Sequence, residues 1–304
     1  MSELPKTYTS ADLADGGKVF RELDPPARLS VFGDPVAHSA SPPMHNAALR
    51  ERGKDLQYVR ILVTPQALPE ALAALPGAGF LGTNLTIPHK QAALELVDEL
   101  SREARLMGAI NTVAVRNGKL HGHNTDGPGF AASIQEEFGV VLGSLRVLIL
   151  GGAGGAGRAI TVQCALAGCP KVIVANRNPS KGETLAAMIK EHLGMNVMAI
   201  SMDHSEVMAA VASSDLIVNA TPLGMKDQDA SPLPDGTESA LRGHHLVYDT
   251  VYSGGNTALL RQAQEAGSKS ASGLSMLLHQ GALAYEIWFR EPAPLETMRQ
   301  ALSS

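Results

Sequence analysis

The sequence is poor in the features that mark secreted, membrane-bound or nucleic-acid-binding chains. Only two cysteines, Cys164 and Cys169, occur in 304 residues. Both fall in one expected helix and its end, so a disulfide framework is not expected and a reducing cytoplasm is the natural home. No uninterrupted apolar run approaches the ~20 residues that cross a bilayer. The opening stretch MSELPKTYTSADLADGG carries acids and lacks an apolar core, which argues against a secretory leader. An excess of basic charge is also missing, since 25 Lys and Arg face 30 Asp and Glu for a net charge of −5. Nucleic acid and anionic membranes therefore have no electrostatic claim as partners. What is present, a 44% apolar fraction over a length that exceeds one ordinary domain, suits a two-domain enzyme acting on a small molecule; the expected assembly, a monomer or homodimer, is not fixed by the sequence.

From residue 29 onward, short β-branched runs alternate with helix-length segments, the pattern of βαβ units in an α/β fold. Strands are predicted at LSVFG, YVRILV and GFLGTNLTI, followed by a hairpin, TVAVR and KLHGH, about the turn pair Asn117-Gly118. GPGF at 127–130 punctuates the chain before a helix expected to start near Phe130. A domain boundary is placed there, giving a first domain of 1–127 and a second of 128–272. RVLILGG, KVIVANR, NVMAI, DLIVNA and HLVYDTVY supply five strands to a doubly wound, Rossmann-type sheet in the second. From Gly273 a helix is expected, with Met276, Gln280, Leu283 and Ile287 on one stripe and Leu277, Leu278, Gly281 and Trp288 alongside, and 273–304 is expected to pack back on the first domain. Residues 1–27 have weak periodicity and read as an extension.

VLILGGAGGAGRAI holds G-x-G-x-x-G as Gly152, Gly154 and Gly157 between strand and helix. Such glycines permit a tight turn and let the backbone approach a pyrophosphate at the positive end of the helix. At the end of the next strand an NAD enzyme presents a carboxylate to the ribose 2′-hydroxyl. Here the chain has Asn176, Arg177 and Asn178, with Lys181 a turn later. Arg177 can pair with a 2′-phosphate that a carboxylate would repel, so NADP is the expected cofactor.

Four segments of the first half, HSASPPMHN, TNLTIPHK, AINT and HGHNTDG, gather hydroxyl, amide and ionisable side chains at strand ends. Each has a purely structural reading as a helix cap or turn. Together, a cleft lined by Ser39, Ser41, Thr86, Asn111 and Asp126 suits a small polyhydroxylated acid. Lys90 and Asp126 are the ionisable pair in these segments able to exchange a proton with a hydroxyl while a nicotinamide takes hydride. A lysine in the first turn of a helix faces the positive end of the dipole, which disfavours its ammonium form.

These segments, with LGGAGGAGRA, NRNPSK, NATPLGM, VYDTVY and GLSMLLHQGALAYEIW in the same order and spacing, resemble the shikimate dehydrogenase family over about residues 29–290. The resemblance implies an α/β fold of a substrate domain and a Rossmann NADP domain, with reversible NADPH-dependent reduction of 3-dehydroshikimate to shikimate on the route to chorismate and the aromatic amino acids. It implies that Ser39 and Ser41 hold the substrate carboxylate, that Lys90 is the catalytic acid/base paired with Asp126, and that Thr86, Asn111, Tyr252 and Gln280 complete the substrate site. It assigns the cofactor to Gly152, Ala153, Gly154, Gly155, Ala156, Asn176, Arg177, Lys181, Thr221, Met225 and Gly273, with no metal. Three residues depart from the family pattern: Asn178 where threonine is common, Ser275 where glycine is common near the nicotinamide end, and Arg102 where an acid is usual. A quinate/shikimate dehydrogenase using NAD, or a catalytically silent NADP-binding regulatory module, are the alternatives.

Overall fold

The computed structural model describes residues 6–226, 228–252 and 255–303. The chain divides into two compact units, Met1–Thr125 with Leu278–Ser304, and Asp126–Leu277.

In the first unit, β1 (Thr7–Thr9), β2 (Ala27–Gly33), β3 (Gln57–Leu62), β4 (Gly82–Leu85), β5 (Glu99–Leu100), β6 (Thr112–Arg116) and β7 (Lys119–His123) form one sheet in the order β1-β3-β2-β4-β6-β7-β5. The first four run parallel, β6 is antiparallel to β4, and the hairpin β6–β7 closes through Asn117 (φ 52°) and Gly118 (φ 77°). Positive φ at both central turn residues is what the right-handed strand twist demands, and Asn-Gly accepts it most readily. β2 is the centre of the parallel part and is almost wholly buried, as its mainly apolar run ARLSVFG requires of a strand covered on both faces.

Residues 6–27 are part of the first unit. β1 adds to the edge of the sheet beside β3, and Tyr8, Leu13 and Phe20 are core residues. The rings of Tyr8 and Phe20 meet edge-on at 5.0 Å, and Phe20 meets Phe80 at 5.2 Å. Their periodicity is weak because Asp15, Gly16 and Gly17 adopt positive φ inside the helix Ala14–Arg21 and break its register.

In the second unit, β8 (Arg146–Leu150), β9 (Lys171–Ala175), β10 (Val197–Ile200), β11 (Leu216–Asn219), β12 (Leu246–Asp249) and β13 (Lys269–Ser272) form a fully parallel sheet ordered β10-β9-β8-β11-β12-β13. In local order this is 3-2-1-4-5-6, the doubly wound nucleotide-binding arrangement. Its sixth strand, Lys-Ser-Ala-Ser, escapes sequence reading because it has no apolar run; pairing with β12 alone makes it a strand. The helix expected near Phe130 begins at Asp126 and runs to Phe138, with GPGF inside it. Pro128 is tolerated there because first-turn N–H groups have no intrahelical partner.

The last long helix, Leu274–Phe289, starts in the second unit and ends in the first. Its buried side is wider than the predicted stripe: Tyr285 is fully buried while Leu283 and Ile287 are only half-buried. Within the first unit Trp288 donates from Nε1 to the carbonyl of Val113 at 3.0 Å, locking the helix to β6.

Candidate active site

In the first unit, polar side chains crowd the carboxyl ends of β2 and β4. The two strand ends are stitched by Thr86 N–H to Phe32 O (2.9 Å) and Asp34 N–H to Ile87 O (3.1 Å). The loop after β2 carries half-buried Ser39 into Ser41, the first residue of helix Ser41–Glu51. Ser39 Oγ accepts the Ser41 N–H at 3.3 Å. Thr86 does not cap the helix that follows; the cap position belongs to Pro88, and Thr86 instead accepts the His89 N–H with its carbonyl at 2.9 Å.

Lys90 is the second residue of a single helical turn, His89–Ala92, and is half-buried. The turn runs on directly into a 3-10 helix, Ala93–Leu96, in place of the longer α-helix expected from the sequence. The position of Lys90 is set by neighbours: its carbonyl accepts the Ile110 N–H at 2.8 Å, and His89 Nε2–H donates to Val63 O at 2.7 Å. Burial lowers the pKa of His89, which keeps it a neutral anchor.

Asn111 is the hub of this end. Its Oδ1 accepts the Thr125 N–H (2.8 Å), and its Nδ2 donates to Thr125 Oγ1 (2.8 Å) and to Gln280 Oε1 (3.2 Å). Gln280, the amide on an apolar stripe, is thereby partnered at 9% exposure. Beneath lies a second layer that sequence reading passes over. Tyr58 OH donates to Asn84 Oδ1 (2.7 Å), and Asn84 Nδ2 donates to Asn111 O (3.2 Å) and Thr112 Oγ1 (3.0 Å). Asn84 and Thr112 lie within TNLTIPHK and AINT, and a polar side chain in an otherwise apolar strand is the signal that could have found them. Ser39, Ser41, Thr86, Lys90, Asn111 and Gln280 thus share one end of the first unit. Asp126 and Tyr252 belong to the second unit; Asp126 is buried at its first helical position, directly after Thr125, and Tyr252 is 43% exposed.

The second unit presents its glycine loop after β8, at the point where strand order reverses between β8 and β11, the usual ligand crevice of such sheets. Helix Gly155–Leu166 opens on Gly154 and Gly155. A Cβ on Gly157 would collide with the Gly151 carbonyl, so this glycine packs helix on strand, whereas one on Gly155 would meet nothing. Asn176 Oδ1 accepts the Ala153 N–H at 3.3 Å, while its buried Nδ2 has no partner. Arg177 and Lys181 are mostly solvent-facing and form no ion pair among the described residues. Asn178 caps helix Pro179–Leu193, accepting from Ser180 N–H (3.2 Å) and Ser180 Oγ (2.6 Å). Ala156 lies in the first turn after the loop, and an added Cβ on Gly273 would collide with the Thr250 carbonyl.

Thr221 and exposed Met225 sit on the loop after β11, which Asn219 holds. Asn219 Oδ1 accepts Thr221 N–H (2.9 Å) and Oγ1 (2.7 Å), and its Nδ2 donates to Leu223 O (2.9 Å) and Asp249 Oδ1 (2.8 Å). Fully buried Asp249 also accepts from Thr257 Oγ1 at 2.7 Å, and burial raises its pKa above the usual carboxylate value. Asn219 and Asp249 lie in NATPLGM and VYDTVY, yet nothing local marks them as organisers. Ser275, expected near the nicotinamide, is 4% exposed and lies 3.2 Å from Tyr248 OH, a core tie. Arg102 is the first residue of a short helix capped by Ser101.

A unit with a phosphate-binding loop at the switch point of a doubly wound sheet, joined in one chain to an α/β unit with a crown of hydroxyls, amides and one lysine, defines the class of dinucleotide-dependent α/β oxidoreductases. Comparison with known proteins narrows the class. Residues 31–113 match the shikimate dehydrogenase substrate binding domain, 133–226 the shikimate/quinate 5-dehydrogenase family and 273–302 the shikimate 5′-dehydrogenase C-terminal domain. The NADP(+) shikimate dehydrogenase of Methanopyrus kandleri is 42% identical over 274 residues, 90% of this chain and 94% of that protein. The crystal structure of the shikimate 5-dehydrogenase of Thermus thermophilus with NADP(H) and shikimate is 38% identical with a TM-score of 0.79, covering 91% of this chain and 98% of that one. The quinate dehydrogenase of Corynebacterium glutamicum in complex with NAD is 31% identical with a TM-score of 0.80, over 90% and 98% of the two chains. The chain belongs to the shikimate dehydrogenase family.

Proposed function

We propose that the protein catalyses the reversible, NADPH-dependent reduction of 3-dehydroshikimate to shikimate, with the first unit, including the end of the last long helix, as substrate domain and the second as NADP domain. What supports this reading is that the segments carrying Ser39, Ser41, Thr86, Lys90 and Asn111 are tied together at one sheet end, with Gln280 bonded to Asn111. Its residues offer donors and acceptors for a carboxylate and ring hydroxyls, and one ammonium for proton transfer. The cofactor residues fit a phosphorylated dinucleotide: the orphaned Nδ2 of Asn176 lacks an acceptor, the space at Gly155 is open, and Arg177 and Lys181 are cations without an ion pair among the described residues and with no carboxylate at the strand end. Gly152, Ala153, Gly154, Gly155 and Ala156 would hold the pyrophosphate, Asn176, Arg177 and Lys181 the adenosine 2′-phosphate end, and Thr221, Met225 and Gly273 the nicotinamide end. When bound, NADPH supplies the hydride.

Ser39 and Ser41 hold the substrate carboxylate, and Thr86, Asn111, Tyr252 and Gln280 orient the ring. Lys90 Nζ gives its proton to the oxygen that becomes the hydroxyl, and Asp126 stabilises the ammonium before transfer. In the reverse direction the Lys90 amine takes that proton back. A reducing cytoplasm is the proposed location, consistent with Cys164 and Cys169 being free and buried. The chain acts on its substrate as a monomer or homodimer.

The test is nicotinamide absorbance in a two-by-two grid of shikimate or quinate with NADP or NAD. Shikimate with NADP should dominate; dominance of quinate with NAD would transfer the chain to the Corynebacterium type, and no turnover in any combination would leave a silent binding module. Lys90→Ala should cut kcat by ~100-fold or more with a small change in shikimate binding.

A further inference from the structure

The serine loop rests on a buried cation that the proposed mechanism does not use. Arg60, from β3, is 6% exposed, and its Nε and Nη2 both donate to the carbonyl of Ser39, at 3.2 and 2.5 Å. No carboxylate lies within ion-pair distance among the described residues, and Nη1 makes no hydrogen bond to them. Burial accordingly lowers its pKa, the opposite of what an ion pair would do. The nearby ring of Tyr58 is fully buried and donates its hydroxyl elsewhere, to Asn84, so it brings no negative charge.

Nη1 is not among the buried atoms left without a partner and so keeps solvent contact, but a mostly buried cation with no carboxylate beside it is still costly, and a neutral carbonyl offsets only part of that cost. The two hydrogen bonds also pull on the Ser39 carbonyl, which polarises the following peptide group and fixes the backbone from which Ser39 and Ser41 project. The guanidinium thus lies against the backbone of Ser39, the first of the two serines.

We propose that Arg60 is the charge behind the serine pair: a positioning residue that selects a carboxylate over a neutral group of the same shape at Ser39 and Ser41. This rests on the reading of the serines as the carboxylate subsite, and it adds that recognition of the acid is ionic as well as hydrogen-bonded. Arg60 acts through the Ser39 carbonyl and through its field, and takes no part in proton transfer.

The experiment compares shikimate with its neutral carboxamide, by turnover with NADP and by calorimetric binding, in the wild type, Arg60→Met, Arg60→Gln and Arg60→Lys. Wild type should prefer the acid. Arg60→Met and Arg60→Gln should raise KM and Kd for shikimate by ~10- to 100-fold with kcat within about twofold, and those for the carboxamide several-fold less, because only the backbone tie and not the charge matters to it, so that the preference collapses. Arg60→Lys should restore part of it. Unchanged kcat on the carboxamide certifies that a variant is folded; if Arg60→Met is not, Arg60→Gln and Arg60→Lys carry the comparison. Equal losses for acid and amide, or a preference that survives loss of the charge, would reduce Arg60 to a loop tie and overturn the proposal while the serine subsite stands. Wild type binding neither compound would overturn both.

Discussion

His45 is fully buried, its ring stacked on Tyr58 at 4.4 Å and tilted against Trp288 at 5.3 Å, and neither nitrogen has a hydrogen-bond partner. Burial pulls its pKa down to about 3. A base whose folded pKa lies below its unfolded value binds fewer protons in the folded state. Its cost is therefore absent above pH 6.5 and grows as pH falls, by ~1.4 kcal/mol per unit, until it levels near pH 3. Between pH 7.5 and 5 the wild type should lose about 2 kcal/mol more stability than His45→Phe, read in urea from fluorescence of Trp288, the single tryptophan; parallel pH profiles would show that the ring is protonated in the fold. Arg177 makes a second prediction at this scale. Arg177→Asp should raise KM for NADP at least ~10-fold while leaving NAD nearly unaffected, because a carboxylate repels the 2′-phosphate alone; equal effects on both cofactors would remove Arg177 from the site.

At the scale of an element, the glycine loop separates packing from ligand approach. Gly157→Ala must move the Gly151 carbonyl and should cost about 1–3 kcal/mol of stability. Gly155→Ala meets nothing, so its stability should stay within about 0.5 kcal/mol while NADP affinity falls. Thermal unfolding with and without NADP distinguishes the two, and the reverse pattern would mean that Gly155 faces no ligand. The loop is legible in the sequence because glycines between an apolar strand and a helix form a local pattern. The strand Lys269–Ser272 is not, since Ser270 and Ser272 owe their conformation to β12 beside them. Asn84 lies within a recognisable motif, yet its role as organiser stays hidden there because Asn111 stands 27 residues away in the chain, and for Asn219, whose ties to Thr221 and Leu223 are local, what stays hidden is the tie to Asp249, 30 residues away.

For the whole molecule, residues 6–26 carry more weight than their composition suggests. A chain lacking them loses β1, Leu13 and Phe20 from the core of the first unit, a destabilisation exceeding about 4 kcal/mol. NADP binding, seated in the second unit on our reading, should survive the truncation and shikimate binding should not; retention of both, with unaltered Trp288 fluorescence, would show that the segment is dispensable. Strand and helix periodicity, the Asn-Gly hairpin, the glycine turn and the absence of an acid after β9 are local properties, and the sequence alone determined them, together with the family. Tertiary structure alone decided that Arg60 donates to the Ser39 carbonyl with no carboxylate beside it, that Asn111 joins Thr125 to Gln280, and that Thr7–Thr9 adds a strand beside β3. Those contacts link residues far apart in the chain, and burial, which sets the cost of each unpaired polar atom, exists only once the chain has folded.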